Sequence, residues 1–429
     1  MANNLLTISK ITNEALMVLE NELTFTGEVN RDYDDQFAVI GAKIGNTVNV
    51  RRPGRFIGTS GPALNVEDFN ETSIPVVLGQ PSSYGDQFHV DTQFTTQDLA
   101  LSLDLFSDRV LKPCVAAIAN RIDFLGTLMA KNSTANIIGV PGTPPTGLLT
   151  YLQAAALLDS EGAPRDGRRS VVVEQFTSAT IVDSLKGLFV PQTTISEQYR
   201  KGLMGRDSAG MNWYMDQNVQ VQNFGFWNTV AGAFTVTGAN QGLATGWASS
   251  SNLILTATQA ATLAQGDTFS IAGVQPVNPQ NRKPYGTNRT RTFVVNTVYP
   301  ATTQAIAANT PVVVNVSPAL IYGGQFQNCS ASPATGAAVT FTSLATTAAN
   351  SVASPQNILM HRNAFTFATA DLELPEGVHF AGRASDKEIG LSIRVVRQYT
   401  INNDAIPTRL DVLFGWAPLY QELACRVAA

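Results

Sequence analysis

Residues 105–131, LFSDRVLKPCVAAIANRIDFLGTLMAK, decide how the rest of the chain is read. Val110, Cys114, Ile118, Ile122, Leu125 and Met129 recur every three or four positions, so a helix of 3.6-residue period places them on one face. Asp104 and Ser107 suit a cap, Asp108 suits the positive end of the helix dipole, and Lys131, Asn132 and Ser133 supply a stop. Pro113 removes a helical hydrogen bond and crowds the turn before it, which predicts a kink or a short first helix restarting there. About 27 residues at ~1.5 Å each span roughly 40 Å, the length of a beam crossing a flat molecule. A buried helix of a large enzyme satisfies the same pattern.

On the N-terminal side, residues 7–22 form an amphipathic pattern with Ile8, Ile11, Ala15, Val18 and Leu19 on one side. This helix precedes any core and reads as an arm. From residue 45 to 80 the period changes to two: Val48 and Val50 alternate with Asn49 and Arg51, and residues 73–78 return. The Gly- and Pro-rich stretch 52–61 between them is the tip of a ribbon. A two-stranded ribbon has too little apolar surface to stand alone, so it should lie on a neighbouring subunit or on its own domain.

On the C-terminal side, short helices are expected over 146–158, 177–185 and 194–201, with a buried strand at 170–173 and an alternating run at 218–222. Short helices mixed with strands imply an α+β fold. Residues 223–354 then break the composition. They contain only Asp267, Arg282, Lys283, Arg289 and Arg291 as charges, a balance of +3 against −8 for the remainder. Short β-rich runs recur within them at 234–237, 253–256, 268–271, 292–298, 312–316 and 339–342, the pattern of a small antiparallel barrel or sandwich. Beyond it, a strand at 365–367, long opposed strands at 390–401 and 408–416 joined at 402–404, and residues 419–427 end the chain. The barrel-like segment thus reads as a module inserted into another fold.

Charged residues make up only 14% of the chain, against about a quarter in ordinary soluble proteins. Much of such a surface is expected to be covered by partners. The net charge of −5 gives no global basic field for holding nucleic acid. The N-terminal residues have no signal-peptide pattern and no stretch suits a bilayer, so the expected location is the cytosol of synthesis, without a membrane partner. Cys114, Cys329 and Cys425 are widely separated and read as reduced packing thiols.

Catalysis needs convergent groups, and the three histidines, His89, His361 and His379, have no partner at metal-ligand spacing. Asp32, Asp34 and Asp35 lack the glycine and closing glutamate of a calcium loop, and GVPGTPPTG at 139–147 is too rich in proline to cradle phosphate. No cofactor is expected. Sequons at Asn132, Asn288 and Asn328 are without consequence in an unsecreted chain. Arg282, Lys283, Arg289 and Arg291 form the one basic cluster, which reads as an exposed loop meeting acidic partner surfaces or, alternatively, nucleic acid. Together with Arg51, Arg52 and Arg55 on the ribbon, these are the candidate inter-subunit contacts.

Taken in order, these pieces resemble the major coat proteins of tailed double-stranded DNA phages, specifically the HK97-type fold with an inserted domain found in short-tailed Salmonella phages. The most specific local matches are QYRKGLMGR and AGMNWYMDQNV before the insert, LAQGDTFSIAGV and RTFVVNTV inside it, and HRNAFTFATADLELPEG after it. The resemblance implies an arm over 1–34, an extended loop over 35–95, a peripheral domain with the spine helix over 96–145, and an apical domain over 146–222 and 355–374. It also implies a β-barrel inserted at 223–354 and peripheral strands over 375–429. It further implies an icosahedral shell of hexamers and pentamers, built around a scaffolding protein with a portal and expanded as DNA is packaged, the DNA being non-specific contents. In the related proteins the loop matching residues 239–252 carries charges that bridge capsomers; ANQGLATGWASSSN carries none. A competing class is a carbohydrate-binding or hydrolytic enzyme with a β-sandwich accessory domain, which requires paired carboxylates in a cleft.

Overall fold

The computed structural model describes residues 23–31, 45–95, 112–185, 209–225, 234–286, 289–296, 303–342, 353–386 and 391–429. The expected arm helix (7–22), the start of the spine (105–111) and the helix expected at 194–201 lie outside them. The chain divides into two compact units, one of residues 1–50, 75–127 and 365–417, the other of residues 51–74, 128–364 and 418–429.

The spine is helix α1, Lys112–Ser133. Pro113 falls in its first described turn, where a missing N–H is best tolerated. Cys114, Val115, Ile118, Ala119, Ile122, Leu125, Met129 and Ala130 are all buried, the face that the periodicity requires. The border between the units falls after Thr127, within this helix.

In the first unit α1 accompanies a five-stranded sheet. Its centre is the long strand Ala405–Pro418, flanked in order by Phe365–Ala370 on one side and Leu391–Arg397 and Phe380–Asp386 on the other, with Asp86–Thr95 also paired to the central strand. That last pairing is antiparallel from Ala405 opposite Thr95 to Phe414 opposite Asp86. Phe25, Phe365, Phe367, Phe414 and Trp416 are fully or almost fully buried and form one aromatic core, with Phe367 and Trp416 ring centres 4.8 Å apart. Gly126 is required where α1 meets it, because a Cβ there would lie 2.6 Å from the Trp416 ring. Asp123, buried on the same helix, accepts hydrogen bonds from the amides of Thr24, Phe25 and Thr26 at 2.9, 3.3 and 3.1 Å. Its carboxylate thereby satisfies a turn whose donors have no helical partners.

The second unit holds two six-stranded sheets. One is mixed, in the order Ile137–Ile138, Ala424–Ala428, Ala353–His361, Arg169–Val173, Asn212–Met215, with Val221–Asn223 also on Ala353–His361. Helices α2, Leu149–Ser160, and α3, Gln175–Leu185, supply Tyr151, Leu157, Leu158 and Ile181 to a core with Val171, Trp213, Leu359 and Val427. The other sheet is wholly antiparallel, in the order Val339–Phe341, Thr268–Ile271, Thr292–Val295, Pro311–Ser317, Ser251–Ala257, Phe234–Val236. Its first and last strands meet: Val236 N–H donates to Ala337 O at 3.0 Å and Phe234 packs edge-on against Phe341. The sheet is therefore a closed barrel, filled by Phe234, Leu253, Leu255, Phe269, Phe293, Val314, Val316 and Phe341.

The α+β class is as expected, and the barrel takes the first of the two forms its pattern allowed. Several strands escape local reading. Ala353–His361 is the centre of the mixed sheet, yet it contains Pro355, Gln356 and Asn357, all poor strand formers. Pro355 removes one donor, but the peptide that follows it is fully paired, its carbonyl accepting from the Ala429 amide at 3.0 Å and the Gln356 amide donating to Gln220 O at 2.9 Å. The run expected at 218–222 shortens to Val221–Asn223, since the Asp216 carboxylate takes the Asn218 amide at 2.8 Å and makes a turn. Among the described residues no helix is long and apolar enough to cross a membrane.

Candidate functional site

The ribbon is built as its alternation dictates. Strands Thr47–Arg52 and Thr72–Val77 pair, burying Val48, Val50, Ile74 and Val76 on one face. Between them, residues 53–71 form neither helix nor strand. Phe56 and Phe69 stack with centres 5.8 Å apart, and Gly54 admits this because a Cβ would come within 2.8 Å of the Phe69 ring. Leu64 is 90% exposed and Val66 79%, with Phe56, Ile57 and Phe69 also exposed. Loops of the barrel segment hold the tip by polar contacts: Gln325 donates to Asp68 O at 2.8 Å and Arg282 to Phe56 O at 3.0 Å. The ribbon thus lies partly on its own chain.

At the base of the tip, the Arg52 guanidinium lies over the rings of Tyr420 and Trp247, 4.2 and 5.4 Å from their centres. It donates to Glu422 Oε1 at 3.1 Å, and Arg55 donates to the same oxygen at 3.0 Å. Burial pushes the Glu422 carboxyl up, but Arg52, Arg55 and the more distant Arg291 together outweigh it and hold the group below its ordinary value. A cavity of about 50 Å³ is lined by Arg52, Arg55 and Glu422 together with Glu161 and Arg291. Those two form a buried ion pair, and Tyr285 donates its hydroxyl to the same Glu161 oxygen.

Of the seven arginines and lysines expected to face partners, the structure turns two inward. Arg291 is 3% exposed and spent on Glu161, and Arg52 is buried on Glu422. The exposed basic loop expected at 282–291 is corrected at Arg291, because Glu161, from a remote part of the same chain, neutralises it. Arg51, its side chain 82% exposed, lies 3.8 Å from Glu71; Lys283 is exposed, and Arg55, Arg282 and Arg289 are half-buried. Glu161, Trp247, Tyr420 and Glu422 were not foreseen, and no local signal could have found them, since Arg52 and Glu422 are 370 residues apart. Among the described residues no group of histidine, cysteine and carboxylate side chains could hold a metal ion. His361 is buried and faces Asp166 at 3.1 Å.

Residues 1–424 match the family model described as P22 coat protein, gene protein 5. The chain belongs to the P22 coat protein family. It is accordingly a major capsid protein of a tailed double-stranded DNA phage, a structural subunit of an icosahedral shell and not an enzyme. The competing enzyme reading falls with this assignment. No curated protein matches the chain. Among solved structures, the coat protein is similar to one titled capsid of Ralstonia phage GP4, at 7% identity and a TM-score of 0.46, over 95% of this chain and 88% of that one. It is also similar to Mycobacterium phage Che8, at 11% identity and a TM-score of 0.44, over 94% and 90% of the two chains. A mature capsid of bacteriophage PhiM1 aligns at 10% identity and a TM-score of 0.42, over 94% and 86%. The family match carries the identification.

Proposed function

We propose that the coat protein joins its shell by laying the apolar tip of its ribbon on a neighbouring copy, while the Arg52–Glu422–Arg55 clamp sets the direction in which the ribbon leaves the subunit. The observation that supports this is the grouping of exposed Phe56, Ile57, Leu64, Val66 and Phe69 on a stretch without helix or strand. A cluster of this kind is a contact surface in search of a partner. In this reading Arg52, Arg55 and Arg291 act inside the subunit, and Arg51, Arg282, Lys283 and Arg289 form the polar rim that a neighbour meets.

The same reading keeps the HK97-type division, with an apical domain interrupted by a barrel inserted at 223–354. Hexamers and pentamers assemble in the host cytoplasm around a scaffolding protein and a portal, and the shell, lacking a basic field, holds DNA as non-specific contents. The test replaces Leu64 and Val66 by glutamate in one chain. The expected product is a subunit with an unchanged thermal transition that forms no shells. Normal shells from this variant would overturn the reading, and an unfolded chain would place the tip in the subunit's own core.

A further inference from the structure

Two cations and one carboxylate are buried together where the chain passes from strand Val221–Asn223 into the barrel segment. Lys131 lies in the last turn of α1, Arg426 in strand Ala424–Ala428, and Asp267 in the turn between Ala261–Ala264 and Thr268–Ile271; none is more than 7% exposed. The Asp267 carboxylate accepts from the Ala264 amide at 2.7 Å, the Gly225 amide at 3.1 Å and Gln222 Nε2 at 2.9 Å. Lys131 Nζ donates to Gln222 Oε1 at 2.6 Å, so one side-chain amide links ammonium to carboxylate. Arg426 donates Nη1–H to Gly266 O at 2.9 Å, while its Nε and Nη2 have no hydrogen-bond partner among the described residues.

Glycine makes this approach possible. A Cβ on Gly266 would lie 2.7 Å from Gln222 Oε1 and 3.3 Å from Lys131 Nζ, and one on Gly225 would lie 2.1 Å from Thr262 O. The buried set carries one positive charge too many, which is costly where water cannot reach. Arginine keeps its proton, so the excess falls on the lysine. We propose that this junction is a proton-linked latch, in which loss of the Lys131 proton leaves one cation facing one carboxylate and tightens the hold of Asp267 on residues 222–225.

Burial first, and then Arg426, pushes Lys131 down to about 7, with Asp267 opposing. Burial pushes Asp267 up to about 6 against the hydrogen bonds from Ala264, Gly225 and Gln222. Burial also moves Arg426 down to about 10 and the neighbouring Cys425 thiol up to about 12, so neither changes charge near neutrality. The stability that Lys131 contributes is present above its ordinary value of 10.5 and lost as pH falls through about 7. Asp267 works the other way, contributing below 3.8 and losing its contribution as pH rises through about 6. The latch is weakest between these two titrations and tightens in mildly alkaline solution.

Hydrogen exchange on the full chain tests it, read on peptides containing the Gly225 and Ala264 amides at pH 6.5 and 8.5 and corrected for intrinsic rates. Protection about tenfold greater at the higher pH is expected in the native sequence, the rise beginning near pH 7 and continuing into alkaline solution. Lys131→Met should abolish that difference, and Lys131→Gln serves if the methionine variant does not fold. Equal protection at both pH values, or the same pH dependence in the variants, overturns the latch. The native chain gives an independent reading: urea unfolding should take up nearly one proton more at pH 8.5 than at 6.5, and no difference in proton uptake overturns it as well.

Discussion

Arg52 and Glu422, 370 residues apart in the chain, meet at 3.1 Å with the guanidinium over the rings of Tyr420 and Trp247. A ribbon of two short strands is marginal by itself, and this contact ties the base of its tip to the segment that carries Glu422. In the proposed assembly, the exposed tip is oriented for its neighbour by Arg52, Glu422, Tyr420 and Trp247 of its own chain.

Removing the carboxylate should expose that dependence. Glu422→Gln leaves two guanidiniums without their shared anion and is expected to lower stability by roughly 2–4 kcal/mol, read from urea unfolding midpoints. Because Glu422 titrates below its ordinary value of 4.5, its contribution is present above that pH and lost as the pH falls through the depressed value. The native chain should therefore lose stability in acid more steeply than the variant. Identical acid limbs would show that the clamp contributes nothing.

The spine is tested at its closest approach. Gly126→Ala gains about 1 kcal/mol of helix propensity but drives a methyl group into the Trp416 ring, a clash expected to cost about 1–3 kcal/mol. The thermal transition should fall, and Trp416→Phe in the same chain should recover part of it by making room. A stabilised single variant would mean that helix and ring separate easily.

Two glycines with nearly the same backbone separate strain from packing. Gly266 and Gly246 have φ of 90° and 89°, but a Cβ at Gly246 meets nothing within 4 Å. Gly246→Ala should cost about 1 kcal/mol from the left-handed backbone alone. Gly266→Ala should cost several times that, since it also displaces Gln222 from Lys131. Equal shifts in the urea midpoint would show that the junction yields.

The barrel should fold when isolated. Residues 223–354 contain the closed sheet and its aromatic core, and about 130 residues suffice to bury a core. The fragment is expected to give a β-type circular dichroism spectrum and a cooperative transition. A fragment unfolded across several choices of boundary would make the segment a set of loops ordered by the rest of the chain.

What the sequence by itself determined is what local periodicity and composition report. The 3.6-residue spacing from Cys114 to Met129 identifies the buried face of α1, and alternation marks Val48 and Val50 as the inward residues of the ribbon. Six turn-separated runs in a charge-poor segment announce an all-β module, barrel or sandwich, because β-branched and aromatic residues at short intervals have few other ways to be buried; closure of the sheet was left to the tertiary structure. Partners were left to the tertiary structure. Arginines at 52 and 291 look alike in sequence to those at 51 and 289, and only the arrival of Glu422 and Glu161 from distant segments turns the first two inward. Ala353–His361 is a central strand because neighbours on both sides saturate its backbone, in spite of its proline and amides. Periodicity records how deeply a residue is buried; it holds no record of what lies across from it, and charge pairing and strand pairing are decided there.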